Sequence, residues 1–192
     1  RLLSSGDEVT IWRADAAPAL RADLARRARV VGVSFDPALG MRREVVLWLR
    51  STGPAHTLSS PPAQPGPGAR LLGAEDAALL ETFEQGSAEY YLSPQRAPCM
   101  GVVVDGRLAS VAHSSRRTTD ACELGINTAP DARRRGYATM ATLAWTETVR
   151  QAGLVPIYSA FADNAASLRL AAASGYTPVS EGVYGVMSDA RG

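Results

Sequence analysis

The stretch RRRGYAT, Arg133 to Thr139, lies between a predicted strand, Cys122–Thr128, and a predicted helix, Gly136–Gln151. The first turn of a helix carries backbone N–H groups that have no partner inside the helix, and the helix dipole adds partial positive charge there. Gly136 lets a bulky phosphate approach the backbone, and three arginines add forked donors suited to phosphate oxygens. The pattern also arises by chance as an ordinary basic helix start. It therefore predicts an anion site that needs support from elsewhere in the chain.

A second block supplies that support. Asn164-Ala165-Ala166-Ser167 opens another predicted helix, in which Asp163 or Asn164 can cap the first turn. This helix runs to about Ala173, and Gly175 stands where a residue with positive φ commonly ends a helix. Upstream, Asp105-Gly106 is a strong two-residue hairpin signal between apolar runs.

Between and around these blocks, the apolar periodicity predicts a regular order of elements. The order is a helix, a hairpin, a strand, a helix, a strand, a helix and a closing pair of strands. The predicted bounds not yet given are Ala74–Gln85 for the first helix, Met100–Val104 and Leu108–His113 for the hairpin, Val155–Phe161 for the next strand, and Tyr176–Ser180 and Val183–Ser188 for the closing pair.

Together the two blocks resemble the GNAT superfamily of N-acetyltransferases. That family places [R/Q]-x-x-G-x-[G/A] at the start of a long helix, and then a strand and an N-x-x-S/A helix that ends in G-F or G-Y. The matching residues here, in the family's order, are Arg133, Gly136, Ala138, Asn164, Ser167, Gly175 and Tyr176. The resemblance covers residues 69–188 and implies an α/β (α+β) fold with a mixed, mostly antiparallel sheet flanked by helices.

The resemblance also implies acetyl-CoA as co-substrate, bound between the strand containing Glu123 and the strand Val155–Phe161. For Asn164 and Ser167, simple helix capping is an equal alternative, and both roles can hold together. The residues that the resemblance assigns to acetyl-CoA are Ile126, Asn127 and Thr128 along the pantetheine arm, Arg133, Arg134, Arg135, Gly136, Tyr137, Ala138 and Thr139 around the pyrophosphate, and Asn164 and Ser167 beside the arm.

The catalytic groups are less clear from the sequence. Many family members carry a tyrosine acid where this chain has Ala171, so Leu170-Ala171 resembles a branch with Leu-Ala in place of Leu-Tyr. Tyr158, Tyr176 and Tyr184 are substitutes in principle, although tyrosines more often serve in packing. Glu123 is the candidate base that removes the proton of the amine. The alternative is a strand carboxylate paired with an arginine such as Arg116 or Arg117.

Other side chains are candidates for the acceptor groove by analogy of fold alone. Tyr90, Tyr91 and Met100 are expected along its wall, and His113 either faces the groove or is a half-buried structural histidine.

Composition excludes several classes of function. With 20 basic and 19 acidic residues, the net charge of +1 argues against a nucleic-acid binder. The two cysteines, Cys99 and Cys122, lie in no recognised metal-ligand spacing, so we expect no metal. No signal peptide and no membrane-spanning run are evident, and a reducing cytoplasm is the expected compartment.

The chain divides at a Pro/Gly-rich run. We predict a small α+β segment over residues 1–53, a linker over 54–68 and a GNAT-like domain over 69–192. The first segment contains the predicted strand Glu8–Trp12, the predicted helix Ala19–Arg29 and the apolar runs Val30–Phe35 and Val45–Leu49. It either covers the acceptor groove or pairs subunits in a homodimer.

The sequence therefore predicts an N-acetyltransferase that moves an acetyl group from acetyl-CoA to a primary amine of a small molecule or peptide. The alternative is a catalytically degenerate fold that binds acyl-CoA as a sensor or regulatory module. The missing tyrosine and the uncertain base favour that second hypothesis.

Overall fold

The computed structural model of the chain describes residues 3–5, 8–10, 42–49 and 68–184, with side chains described over 42–47 and 68–178. The predicted helix Ala19–Arg29, the run Val30–Phe35 and residues 54–67 of the predicted linker lie outside the described residues.

The described elements follow the predicted order closely. Three single 3-10 turns, at Ala74–Asp76, Pro94–Arg96 and Pro130–Ala132, lie between them. In chain order the strands and helices are β1 (Leu3–Ser5), β2 (Glu8–Thr10), β3 (Arg42–Leu49), β4 (Ala69–Leu71), α1 (Ala77–Phe83), α2 (Ser87–Leu92), β5 (Met100–Val104), β6 (Arg107–Arg117), β7 (Ala121–Thr128), α3 (Tyr137–Gln151), β8 (Val155–Phe161), α4 (Ala165–Ala173) and β9 (Tyr176–Tyr184).

Within the described residues, β1 and β2 form a separate two-stranded pair, and the other strands form a seven-stranded sheet in the order β4-β5-β6-β7-β8-β3-β9. The pair β7–β8 is parallel, whereas the remaining neighbours are antiparallel. The predicted fold class, a mixed and mostly antiparallel sheet with flanking helices, is confirmed.

Local sequence accounts for the hairpin and for the long helix. Asp105 and Gly106 both have positive φ, 50° and 74°, which is the two-residue turn that suits the twist of paired strands. In α3, Ala141, Trp145 and Val149 recur every fourth residue and are all fully buried. The helix therefore packs one apolar stripe against the sheet.

The sheet has a buried cluster on each face. The larger cluster joins α3, Ala171 of α4 and the inward side chains of β3, β5, β6, β7 and β8. The smaller cluster lies under α1 and α2 and includes Leu80, Tyr91 and Val111. Helix α2 was not predicted, and the predicted helix Ala74–Gln85 is shorter, since it consists of a 3-10 turn and α1.

The closing pair of strands was predicted wrongly. The structure has one strand, β9, that pairs with β3 from Tyr176 to Tyr184, with a register shift opposite Val46 and Leu47. The predicted break between the two strands, at Glu181 and Gly182, is regularly paired with Val45 and Glu44 of β3, whereas the shift leaves Val179 as an extra residue in β9, as in a bulge.

Strand β3 belongs to the main sheet, although its apolar run Val45–Leu49 was assigned to the N-terminal segment. It lies between β8 and β9 and is antiparallel to both. Val45 and Leu47, at 9% and 2% exposed, alternate into the larger cluster. The bounds of the N-terminal segment and of the linker stay predictions.

Candidate functional site

Strands β7 and β8 form a fork. They pair only over Ala121–Glu123 and Val155–Ile157, and beyond those residues no pairing between them is recorded in the described sheet. Each strand stays paired with its other neighbour, β7 with β6 and β8 with β3. The sheet is therefore open between the two strands from Leu124 onwards.

A cleft of about 1050 Å³ runs from the end of β7 past the start of α3 to α4. Every residue that the sequence assigned to acetyl-CoA lines it, except Arg135, which is exposed beside it. Further lining residues that the sequence analysis did not assign to acetyl-CoA include Thr82, Phe83, Glu84, Arg107, Arg169 and Leu170.

The start of α3 presents free donors to this cleft. Arg134 and Gly136 both have positive φ, 62° and 84°. Met140 N–H donates to Gly136 O at 3.1 Å, and Gly136 has no side chain that could accept from the amides of the first turn after it. Within the described chain, the amides of Tyr137, Ala138 and Thr139 thus have no recorded protein acceptor. A Cβ built on Gly136 meets no atom within 4 Å, so the space beside it is open.

The end of β7 presents only part of its backbone to the opening. Ala129 N–H donates to Ala109 O on β6 at 3.0 Å, and antiparallel pairing alternates direction along a strand. The backbone N–H and C=O of Asn127 therefore point towards β6. The side chain of Asn127 donates to Tyr91 Oη at 2.6 Å. The backbone groups of Ile126 and Thr128 face away from β6, towards the fork.

Hydroxyl contacts occupy the start of α4. Asn164 Oδ1 accepts Ser167 N–H at 3.1 Å, so the predicted cap is present. Ser167 Oγ lies 2.8 Å from Tyr158 Oη. Ala171 is completely buried and has no polar group to offer. Tyr176 pairs with Thr146 Oγ1 at 2.7 Å, and burial raises the pKa of Tyr176 to about 12.

Glu123 is the last residue of β7 that pairs with β8, and it is 7% exposed. Arg116 holds both of its carboxylate oxygens at 2.8 Å, and Ser159 Oγ donates to Oε1 at 2.8 Å. Arg116 also lies 3.5 Å from Glu44 of β3. Burial raises the pKa of Glu123, and the charge of Arg116 and the hydrogen bond from Ser159 offset part of that rise. The arginine-paired carboxylate that we weighed as the alternative is thus the observed state.

His113 is buried at 3% exposure and lies edge-on to the rings of Tyr90 and Tyr91. Its Nε2 lies 3.3 Å from Tyr90 Oη, and its Nδ1 has no partner among the described residues. A Cβ on Gly125 would lie 2.4 Å from the ring, so only glycine fits there. Burial lowers the pKa of His113 to about 4, and the charge of Arg96 adds to that effect.

Met100 lies elsewhere than predicted. It is 7% exposed in the larger cluster, with Thr148 Oγ1 of α3 at 3.9 Å from its sulfur. It faces α3 and not α2, because alternation along β5 turns it to that side of the sheet.

Comparison with known proteins agrees with this geometry. The family model for GNAT acetyltransferase matches residues 76–184, more than half of the chain. The chain belongs to the GNAT acetyltransferase family. No curated protein matches the sequence.

Solved structures show the same GNAT fold. A putative acetyltransferase of the GNAT family from Novosphingobium aromaticivorans is 25% identical with a TM-score of 0.56, over 74% of this chain and 62% of that one. An acetyltransferase of the GNAT family from Colwellia psychrerythraea is 18% identical with a TM-score of 0.61, over 84% and 60%. This chain thus spans less than two thirds of the length of these two proteins.

An aminoglycoside N-acetyltransferase, AAC(6')-Iy, solved in complex with CoA, is also similar in fold. It is 17% identical with a TM-score of 0.50, over 64% of this chain and 98% of that one.

Within the described part of this GNAT chain, no helix is long and apolar enough to cross a bilayer. The same residues contain no cluster of three or more His, Cys, Asp or Glu that could hold a metal ion.

Sequence reasoning missed several polar residues that lie in or near this cleft. Arg107 follows the hairpin turn directly, so the Asp105-Gly106 signal could have placed it at that end of the sheet. Arg169 carried no signal, since the inward face of a short helix is not fixed by its own sequence. Ser159 is a poor base by its chemistry, and its observed contact is a hydrogen bond to Glu123.

Proposed function

We propose that this chain transfers an acetyl group from acetyl-CoA to a primary amine of a small molecule or a peptide. One observation carries the proposal: the uncapped start of α3 and the open fork between β7 and β8 line or adjoin a single cleft. A diphosphate needs several backbone donors in one place, and an extended arm needs a strand edge without a partner. This cleft offers both.

The diphosphate of CoA would bind at the start of α3. The amides of Tyr137, Ala138 and Thr139 have no acceptor in the described part of the chain, and the helix dipole favours an anion there. Arg133 and Arg134 line the same part of the cleft and add full positive charge. Arg135 would contribute through long-range charge alone, since it does not line the cleft.

The pantetheine arm would lie along the open edge of β7. Ile126 and Thr128 direct their backbone groups towards the fork, which supports two of the three predicted backbone contacts. Asn127 would contribute through its side chain, which already holds Tyr91. Asn164 and Ser167 line the facing wall on α4.

The acetyl group would then lie near the fork, where Glu123 is the one carboxylate of β7. We keep Glu123 as the candidate base, because burial raises its pKa towards the range useful for proton transfer. Its contact with Arg116 opposes that role and favours the second candidate function, an acyl-CoA-binding sensor without turnover.

Cys99 and Cys122 are both free and buried, which supports our proposal of a reducing cytoplasm as the compartment.

Calorimetry with CoA tests the binding half of the proposal. Gly136→Glu places a side chain and a negative charge against the diphosphate site, so we expect no measurable binding heat. Gly153→Glu is the matched control, because Gly153 also has a positive φ, 75°, and open space, yet lies at the other end of α3. Gly153→Glu introduces a similar backbone strain, because a non-glycine residue again takes a positive φ. This control should bind CoA like the wild type.

Equal affinity of wild type and Gly136→Glu would remove the site. If CoA binds as expected, thiol release from acetyl-CoA across a panel of amines separates the two functions. Release that depends on an amine supports the transferase, whereas binding without release supports the sensor.

A further inference from the structure

A pair of hydroxyl groups connects β8 to the first turn of α4 at the wall of the cleft. Tyr158 Oη lies 2.8 Å from Ser167 Oγ. Tyr158 is 1% exposed and its ring packs edge-on against Tyr176, 5.4 Å between centroids. Ser167 lines the cleft. Tyr158 is therefore buried in the core, whereas Ser167 is accessible to a molecule bound in the cleft.

The burial of Tyr158 fixes the direction of this hydrogen bond. A buried phenol O–H has to be given an acceptor, and Ser167 Oγ is its one recorded partner in the described chain. Tyr158 therefore donates and Ser167 accepts. Burial also raises the pKa of Tyr158, which keeps the phenol protonated at neutral pH.

Ser167 is then left with a hydroxyl hydrogen that has no acceptor among the residues the structure describes. Its backbone N–H is separately fixed by Asn164 Oδ1 at 3.1 Å, which holds the residue in place. The free hydrogen can point into the cleft as a donor of fixed position. Ala171, one turn further along α4, is buried and has no donor of its own.

Acyl transfer from a thioester creates a need for such a donor. The amine nitrogen forms a bond to the acetyl carbon, the C–S bond breaks, and its electron pair leaves with the sulfur. The proton of the amine goes to a base, either the Glu123 carboxylate or water. The sulfur departs as a thiolate, which is stabilised by a hydrogen-bond donor in a site that excludes water.

We propose that Ser167, with its hydroxyl oriented by Tyr158, donates a hydrogen bond to the departing thiolate of CoA. This inference rests on the proposed function. Ser167 is the catalytic residue in it, and Tyr158 is a positioning residue that acts through Ser167. The thiolate keeps its electron pair and takes a proton from solvent when CoA is released.

Titration of the thiol of bound CoA tests this inference without knowledge of the acceptor. Thiolate absorbance of the CoA complex is followed against pH for the wild type, Ser167→Ala, Tyr158→Phe and the double variant. Loss of a hydrogen bond to a charged group should lower the thiolate fraction at a given pH by roughly tenfold in each variant. The double variant should match the single ones, because Tyr158 acts only through Ser167.

Two controls separate this role from packing. Tyr176→Phe removes a comparable buried hydroxyl bond, to Thr146, and should lower stability without moving the thiol titration. Ser167→Thr keeps the hydroxyl and should restore most of the wild-type titration. With an amine that supports turnover, Ser167→Ala should lower kcat about 10- to 100-fold while the Kd of CoA stays within about twofold.

The outcomes are distinguishable from those of the proposed function. If the wild type does not bind CoA, the proposed function fails and this inference fails with it. If the wild type binds CoA and Ser167→Ala leaves the thiol titration unchanged, only this inference is overturned. A change in CoA affinity with no change in the titration would make Ser167 a binding residue and would likewise overturn it.

Discussion

Glu123 shows how the same side chain can serve structure and chemistry. Its carboxylate is held by both Arg116 and Ser159, so removal of its charge affects a hydrogen-bonded cluster as well as any proton transfer. A buried ion pair by itself is weak evidence for either role. The distinction needs a variant that keeps the shape of the side chain.

Glu123→Gln keeps that shape and removes the base. With an amine that supports turnover, we expect kcat to fall about 100-fold, while the Kd of CoA stays unchanged. Burial raises the pKa of Glu123, so the wild-type rate should rise with pH as the carboxylate ionises, and the variant should lose that rise.

The matched control is Glu44→Gln, because Glu44 also contacts Arg116 but at 3.5 Å and from β3. Its kcat should stay within a few-fold of the wild type. Equal pH profiles for wild type and Glu123→Gln would remove Glu123 from the mechanism.

The buried side chain of His113 should make the free energy of unfolding depend on pH in the acidic range. Its folded-state pKa is lowered to about 4, so the neutral form is favoured by folding. Its contribution to stability is fully present above the unfolded pKa, near 6.5, and is lost as pH falls towards 4. The unfolded chain takes up a proton over that range and the folded chain does not.

We therefore expect the free energy of unfolding to fall between pH 6.5 and pH 4, by roughly 3 kcal/mol from this residue. His113→Gln should have a lower free energy of unfolding at pH 7, and that free energy should change less between pH 6.5 and pH 4. Urea unfolding at several pH values gives both slopes, and parallel slopes would contradict the assignment.

At the scale of elements, β3 is the least expected part of the fold. It comes from the segment before the Pro/Gly-rich run, yet it separates β8 from β9. It also brings Glu44 to within 3.5 Å of Arg116, next to the candidate base. Its placement couples the N-terminal part of the chain to the open side of the fork.

Leu47→Ala tests that coupling. Leu47 is 2% exposed in the larger cluster, so its truncation should lower the free energy of unfolding by about 2–4 kcal/mol. Leu71→Ala on β4 is the control, because Leu71 is 60% exposed and should change stability by less than about 0.5 kcal/mol. If Leu47→Ala lowered stability only in a separate, minor transition of the urea unfolding curve, β3 would lie outside the main cooperative unit.

At the scale of the whole molecule, the cleft is assembled from parts that lie far apart in the sequence. The cleft is lined by the end of α1 with the following Glu84, the hairpin residue Arg107, the end of β7, the start of α3 and the inner face of α4. The net charge of the whole chain, +1, does not reveal that the cleft is basic. Four arginines line the cleft, with only two carboxylates, Glu84 and Asp131, among its described lining residues.

The sequence by itself determined the local elements and the two motif blocks. The Asp105-Gly106 turn, the apolar stripe of α3, the Asn164 cap and the uncapped start at Gly136 each depend on neighbouring residues, so short-range physics suffices for them. The family pattern set these elements in order and thereby predicted that residues of both blocks line one cleft, which the structure shows.

Only the tertiary structure decided the position of β3, the continuous pairing of β9, the Arg116–Glu123 contact and the Tyr158–Ser167 pair. Strand partners and cross-sheet contacts join residues that are distant in the chain, and many alternatives satisfy the same alternation of apolar side chains. Packing of the whole sheet selects among them, and the observed arrangement buries Val45 and Leu47 in one cluster with α3.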